Sequence, residues 1–71
     1  KLPEAIAAYS QSIALSPEPT AYNNLGVTLR QVGDQAGAIA CYREALKLNP
    51  NYVDTRFNLG NALKDQEDLA G

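Results

Sequence analysis

The sequence predicts an all-α fold in which pairs of antiparallel helices repeat along the chain. Its 71 residues provide one small domain, and 45% hydrophobic with 20% charged residues is a composition typical of globular proteins. Proline and glycine divide the chain into four segments whose apolar residues recur at three- and four-residue intervals, which is helical rather than strand spacing. Similar residues return every 33 or 34 positions, so structural repeats are expected.

The first two segments are predicted helices with recognisable start and stop signals. The first runs from about Pro3 to Leu15, because proline suits a first helical turn and Pro17 cannot continue a helix. The second begins near Thr20, an N-cap residue type, and ends at Gly33-Asp34, where glycine can adopt the left-handed conformation that closes a helix.

The third and fourth segments show the same pattern. The third runs from about Gln35 to Leu48 and is closed by Asn49-Pro50, and the fourth runs from about Tyr52 to Asp65 or beyond. Connections of about three to four residues require consecutive helices to be antiparallel.

Two kinds of helix alternate along the chain. Ala5-Ile6-x-x-Tyr9 of the first segment returns one repeat later as Ala38-Ile39-x-x-Tyr42 in the third. Asn24-Leu25-Gly26 of the second returns in the same way as Asn58-Leu59-Gly60 in the fourth. The second and fourth segments are called A helices below, and the first and third are called B helices. Because Gly26 and Ala38 carry little or no side chain, we expect helices A and B to cross closely there, with Tyr42 filling the adjacent space.

The repeated residues are similar to those of the tetratricopeptide repeat. Tyr22-x-x-Leu25-Gly26-x-x-Leu29, Ala38-x-x-x-Tyr42 and Pro50 resemble its signature W-x-x-L-G-x-x-Y, A-x-x-x-F, P, and the period agrees. The resemblance implies antiparallel helix-turn-helix repeats stacked as an α-solenoid, a right-handed superhelix. It divides the chain into a B helix in residues 1–18, a complete repeat in residues 19–52 and an A helix in residues 53–71.

Three positions depart from the repeat pattern. Arg56 stands where an aromatic residue is usual, Ser12 stands where the next copy has Ala45, and Glu67 stands where Gly33 marks the turn. The last helix is therefore expected to run on into residues 67–68. Since a repeat cannot bury its flanks alone, the chain is expected to be an excerpt from a longer array.

The charged and reactive residues argue against catalysis and against polyanion binding. Eight acidic and six basic residues give a net charge of −2 with no basic block, which is atypical of proteins that bind nucleic acid or an anionic membrane. The chain has no histidine, the commonest catalytic base, and its five glycines form no phosphate-binding loop. We therefore predict no enzyme activity, no cofactor and no metal site.

The single cysteine, Cys41, is predicted to be a small packing residue of a B helix, with a regulatory thiol as the alternative. It cannot form an internal disulfide, which makes a reducing compartment plausible. The apolar stretches are too short to span a bilayer. A cytoplasmic location is the expectation.

The resemblance to the tetratricopeptide repeat implies that partners bind the surface of the A helices that helix B leaves uncovered. In that family, stacked A helices line a concave groove that holds an extended peptide or a helix of a partner protein. The residues expected to contact a partner are Asn23, Asn24, Val27, Arg30, Gln31, Asp54, Phe57, Asn58, Asn61 and Lys64, with Asp65 on the same surface.

Asn24 and Asn58 recur at the repeat period, and two interpretations of them remain open. Side-chain amides both donate and accept hydrogen bonds, so they can pair with a peptide backbone of any sequence. The two asparagines resemble the ladder in the repeat arrays of O-GlcNAc transferases, and residues 58–64 are very similar to an A helix of that subfamily. Alternatively, these amides hydrogen-bond neighbouring repeats and hold the solenoid together.

Three functions are compatible with these observations. The first, which we favour, is an adaptor or assembly factor that binds a protein or peptide segment on the A-helix surface. The second is the substrate-guiding array of a larger transferase. The third is structural: open apolar ends stack on further repeats or on another copy and produce homo-oligomers.

Overall fold

Four α-helices form the regular structure of the described part of the chain. The computed structural model describes the backbone of residues 2–70 and the side chains of residues 2–67. The helices are α1 (Leu2–Leu15), α2 (Pro19–Gln31), α3 (Gln35–Leu48) and α4 (Val53–Ala70). Connections of three, three and four residues join them. The predicted all-α fold is confirmed.

The N-cap of α2 lies two residues earlier than the sequence indicated. Glu18 is its N-cap, with extended backbone and no side-chain capping hydrogen bond, and Pro19 occupies the first turn. Thr20 is therefore inside the helix, and its prediction as the N-cap is wrong. The physical reason is that the missing N–H of Pro19 falls where a helical N–H has no partner, so proline itself favours this start.

The turn between α2 and α3 closes one helix and starts the next. Gly33 has a φ of +92°, in the left-handed region. Its N–H donates to the Arg30 carbonyl at 3.1 Å, and the N–H of Asp34 donates to the Leu29 carbonyl at 2.8 Å. This pair of bonds is typical of a glycine-closed helix end. Oδ1 of Asp34 then accepts from the N–H of Gly37 at 2.9 Å and caps α3. The predicted glycine stop is confirmed.

The core lies where α2, α3 and α4 meet. Ala38 and Tyr42 of α3 and Ala62 of α4 are completely buried. Val27, Leu29 and Leu59 pack against this cluster. Helix α3 contacts both A helices, α2 and α4, whereas α1 contacts α2. The two A helices are therefore held side by side by a shared B helix.

Helix α4 continues past the position at which α2 ends. Glu67 replaces the left-handed Gly33 at this point of the repeat, and the helix runs through it to Ala70. The expected extension beyond residue 67 is confirmed. Although α4 is 18 residues long, neither it nor any other helix of the described chain has the length and apolar content that crossing a membrane requires.

Candidate functional site

A row of polar contacts, called the A–A seam below, joins α2 to α4. Oδ1 of Asn23 accepts hydrogen bonds from Oγ1 of Thr55 at 2.9 Å and from Nδ2 of Asn58 at 3.1 Å. Two helical turns further along α2, the Arg30 guanidinium donates to the carboxylate of Asp65 and forms an ion pair with it. Asn23 and Asn58, like Arg30 and Asp65, are 35 residues apart, so both contacts follow one register between adjacent A helices.

The two ends of the seam differ in burial and therefore in strength. Thr55 is completely buried and Asn23 is 7% exposed. Their hydrogen bond therefore contributes about 1 kcal/mol, and either group would be costly to leave unpaired. The side chains of Arg30 and Asp65 are 33% and 41% exposed. Solvent weakens such an ion pair, so it contributes at most about 1 kcal/mol. The Asn23 end is the structural anchor.

Three α2 residues expected on the binding surface are engaged within the chain instead. The expectation that Asn23 lies on an exposed surface is wrong. Asn23 is buried in the A–A seam, because α4 covers the side of α2 on which it lies. Val27 is half-buried and packs against the core cluster. Arg30 is half-buried and paired with Asp65. None of the three has a fully free side chain for a partner.

The two period-related asparagines have different environments. Asn24 is exposed, whereas Asn58 is half-buried and donates to Asn23. The structure therefore brings Asn58 to Asn23 across the seam. A hydrogen bond between neighbouring repeats is observed for Asn58, as the structural interpretation of the amides requires. Contact with a peptide by Asn24 or Asn58 remains a prediction.

The remaining candidates form a surface that is open to solvent. Asp54, Phe57, Asn61 and Lys64 are spaced by three, four and three residues along α4, so they lie along one face of that helix. Phe57 is 69% exposed, and the two charged residues are also exposed. The exposed candidates of α2 are Asn24 and Gln31. The A-helix face is defined below as Asn24, Gln31, Asp54, Phe57, Asn61 and Lys64.

Comparison with known proteins identifies the family. The model of the TPR repeat, the tetratricopeptide repeat, matches residues 28–67, more than half of the chain. The chain belongs to the tetratricopeptide repeat family. It is also 31% identical over 61 residues to the Photosystem I assembly protein Ycf3 of Acaryochloris marina (strain MBIC 11017), a match that covers 80% of this chain and 37% of that relative. The chain thus spans little more than a third of the relative's length.

Both similarities fit a protein-interaction module at the level of the family. The finer similarity of residues 58–64 to the arrays of O-GlcNAc transferases remains a prediction. The tetratricopeptide signature accounts for the buried crossing of Gly26, Ala38 and Tyr42. The residues of the A–A seam and the exposed Phe57 lie outside the signature positions.

Thr55 is a seam residue that the sequence analysis missed. It stands one repeat after Ala21, and both positions are buried. A hydroxyl at a position that is alanine in the preceding copy indicates a polar contact inside the core, because a buried hydroxyl needs a partner. That difference between copies was the available signal, and Asn23 is the partner.

Cys41 of this tetratricopeptide chain is half-buried beside the core. Burial raises the pKa of its thiol above the ordinary value, and the carboxylates of Asp34 and Glu44 raise that pKa further. The reactive thiolate is therefore disfavoured, which supports a packing role. Among the described side chains, no three potential metal ligands cluster, and no enclosed pocket is found.

Proposed function

We propose that this tetratricopeptide chain is a non-catalytic interaction module that binds an extended segment of a partner protein along the A-helix face. The observation that carries the proposal is the position of Phe57. Its ring is 69% exposed in the middle of a polar stripe on α4. Exposed aromatic rings with a polar rim are typical anchors of protein interfaces, because burying the ring contributes most of the binding energy.

The charges at the two ends of the stripe define the chemistry of the proposed partner segment. Asp54 and Lys64 are ten residues apart, which is about 15 Å along a helix. An extended segment covers this distance in about five residues. Phe57 lies about 5 Å from the Asp54 end by the same helical rise. The complementary segment carries a basic residue, an apolar residue one or two positions away, and an acidic residue about three positions beyond that.

The amides of the A-helix face suit backbone recognition. Asn61 is half-buried beside Phe57 on the stripe, and Asn24 and Gln31 are exposed on α2. An amide can donate to a peptide carbonyl and accept from a peptide N–H, so it favours an extended chain without selecting its side chains. In the proposed complex, Phe57 supplies most of the binding energy, Phe57 and the two charges supply sequence preference, and the amides add hydrogen bonds to the backbone of the partner segment.

The relative's printed name supports this class of function. The Photosystem I assembly protein Ycf3 is, by its name, an assembly protein. We extend that role to this chain only as a class: holding a segment of a partner protein without chemical turnover. A location in the cytoplasm and the absence of nucleic-acid and membrane partners belong to the same proposal.

A peptide array tests the proposal directly. The array carries extended segments with an apolar residue at the centre and every arrangement of flanking charge, and the probe is the 71-residue chain. Phe57→Ala should weaken binding about tenfold or more. Lys64→Glu should exchange the preferred acidic residue for a basic one. Leu15→Ala is the matched control, because Leu15 is 83% exposed and lies outside the A-helix face. Unchanged binding by both Phe57→Ala and Lys64→Glu would refute the proposal.

A further inference from the structure

Two basic residues that occupy the same position in consecutive A helices meet where the A–A seam borders the A-helix face. Arg30 of α2 and Lys64 of α4 stand one repeat apart, as Asn24 and Asn58 do. Packed helices lie about 8–10 Å apart, so the two residues are neighbours across the seam. Lys64 is exposed on the A-helix face, and the side chain of Arg30 is 33% exposed beside it.

The carboxylate of Asp65 neutralises one of these two cations. Asp65 follows Lys64 in α4, and it accepts a hydrogen bond from the Arg30 guanidinium. The equivalent residue one repeat earlier is Gln31, which is exposed and uncharged. The carboxylate is therefore not part of the repeated pattern. It occurs in one copy, at the point where two basic residues meet.

This ion pair limits the charge that the Lys64 end of the face can accept. One acidic residue of a partner segment can reach the exposed Lys64. A second acidic residue directed toward Arg30 meets a guanidinium that already donates to Asp65, and the Asp65 carboxylate repels it. Repulsion of this kind is one way in which an interface rejects wrong partners. The side chains of Arg30 and Asp65 are 33% and 41% exposed, so solvent weakens the repulsion without removing it.

We propose that Asp65 is a specificity-determining residue that rejects partner segments carrying a second acidic residue at the Lys64 end of the A-helix face. This inference rests on the function proposed above and adds a selection rule to the same surface. Lys64 attracts one acidic residue, and Asp65 excludes the next. A neutral amide in place of the carboxylate would free Arg30 and convert the rejection into attraction.

Two capped peptides test the inference on the 71-residue chain. The one-acid probe is Lys-Leu-Gly-Gly-Glu-Gly-Gln, and the two-acid probe has Glu in place of the final Gln. Alternate side chains of an extended segment lie on the same side, about 7 Å apart, so both acidic residues can face the chain. In a low-salt titration followed by NMR, the wild type should bind the two-acid probe no more tightly than the one-acid probe. Asp65→Asn should bind the two-acid probe about threefold more tightly.

Three further variants separate the Arg30–Asp65 contact from a general effect of charge. Glu67→Gln is the matched control, because it removes one exposed carboxylate from the same helix and changes the net charge equally. It should keep the wild-type ratio of affinities, and so should Asp65→Glu, which retains the carboxylate. Asp65→Asn combined with Arg30→Gln should lose the threefold preference. Circular dichroism checks that each variant is helical.

A shorter probe separates this inference from the function proposed above. Capped Glu-Gly-Glu has no apolar residue for Phe57, and its binding is observed through the NMR signal of the Arg30 Nε–H. That signal should shift further in Asp65→Asn than in the wild type, with or without Phe57→Ala. Long probes that bind no variant, or that bind Phe57→Ala as well as the wild type, would refute the proposed function. The shorter probe would then decide the role of Asp65.

The inference is wrong if Asp65→Asn and the wild type show the same ratio of affinities for the two long probes. Where those probes do not bind, an equal shift of the Arg30 signal in both proteins overturns it. It is also wrong if Glu67→Gln changes the ratio as much as Asp65→Asn does, because net charge would then be the cause. A preference that survives Arg30→Gln would assign the second acidic residue to another cation and would equally overturn it.

Discussion

The ring of Tyr42 occupies the space that a side chain on Gly26 would need. A Cβ built on Gly26 would lie 2.5 Å from Cε1, 2.8 Å from Cδ1 and 3.0 Å from Cζ of that ring. Tyr42 is completely buried, so the ring has no open space to move into. At Gly60, the equivalent position one repeat later, the same Cβ meets nothing within 4 Å. The two glycines share a sequence motif but only one is required by packing.

Alanine at these two glycines should therefore change stability in opposite directions. Gly26→Ala gains helix propensity but forces the Tyr42 ring to shift, so we expect a net loss of about 1–2 kcal/mol in the free energy of unfolding. Gly60→Ala gains propensity without a clash and should add about 0.5–1 kcal/mol. Urea unfolding at one low chain concentration measures both. Equal effects at the two positions would contradict the close packing.

The buried end of the A–A seam should be sensitive to the loss of one partner. Asn23→Ala leaves the hydroxyl of Thr55 buried without its acceptor, which should cost about 1–3 kcal/mol of unfolding free energy. Asn24→Ala is the control, because Asn24 is the exposed neighbour on the same helix. It should change stability by less than about 0.5 kcal/mol.

Removing both partners of that bond should be less harmful than removing Asn23 alone. In the double variant Asn23→Ala/Thr55→Val, no buried hydroxyl remains unpaired, and valine keeps the shape of threonine. We expect it to recover at least half of the stability lost in Asn23→Ala, as measured by urea unfolding. Losses that simply add would show that the seam hydrogen bond does not couple the two residues.

The helices and the core could be predicted because their signals are local and repeated. Gly33 must be left-handed to close α2. Gly26 and Tyr42 belong to motifs that recur one repeat away, at Gly60 and at Tyr9. The predicted N-cap of α2 was wrong by two residues because two start signals compete there: Thr20 is a good N-cap, and Pro19 is a good first-turn residue. The proline decides, since its backbone angle is already fixed.

The candidate surface could be predicted only in part. Helical spacing placed Phe57 and Lys64 on one face of α4, and both side chains are exposed; their contact with a partner stays a prediction. It placed Asn23 on the same surface, because spacing shows which residues share a face but not how much of that face a neighbouring helix covers. The 35-residue register between α2 and α4 determines which α2 residues are covered by α4. This register arises from packing around α3, which no local signal encodes.

The exposed end of the seam should contribute little, and the contribution should depend on salt. A double-mutant cycle with Arg30→Ala and Asp65→Ala should give a coupling of about 0.2–1 kcal/mol, because both side chains are about a third or more exposed. The coupling should fall as salt is added. The ion pair of Lys47 and Glu44 within α3 is the comparison: its charged atoms are 3.0 Å apart, and its side chains are more exposed than those of Arg30 and Asp65. The Arg30–Asp65 coupling should be smaller than the coupling of the buried hydrogen bond between Asn23 and Thr55, and a larger value would contradict this expectation.

The stability of the fold should decline at alkaline pH through Cys41 and Tyr42. Burial is the largest cause that raises the pKa of each group, from ordinary values of 9.0 and 10.0. For Tyr42, the positive charge of Arg30 opposes this rise and Cys41 adds to it. The unfolded chain therefore loses these protons at lower pH than the folded chain does. The resulting stability is fully present below the unfolded pKa and is lost as pH rises through the folded pKa.

Removing the buried thiol should flatten the first part of this decline. In Cys41→Ala, the free energy of unfolding should fall less steeply than in the wild type as pH rises above 9.0, with the contribution of Tyr42 following above 10.0. The matched control is Cys41→Ala/Ala8→Cys, which moves the thiol to the exposed equivalent position on α1. Without burial the thiol has no reason to couple to folding, so this variant should follow Cys41→Ala. If the wild type and Cys41→Ala declined in parallel, burial of the thiol would not be the cause.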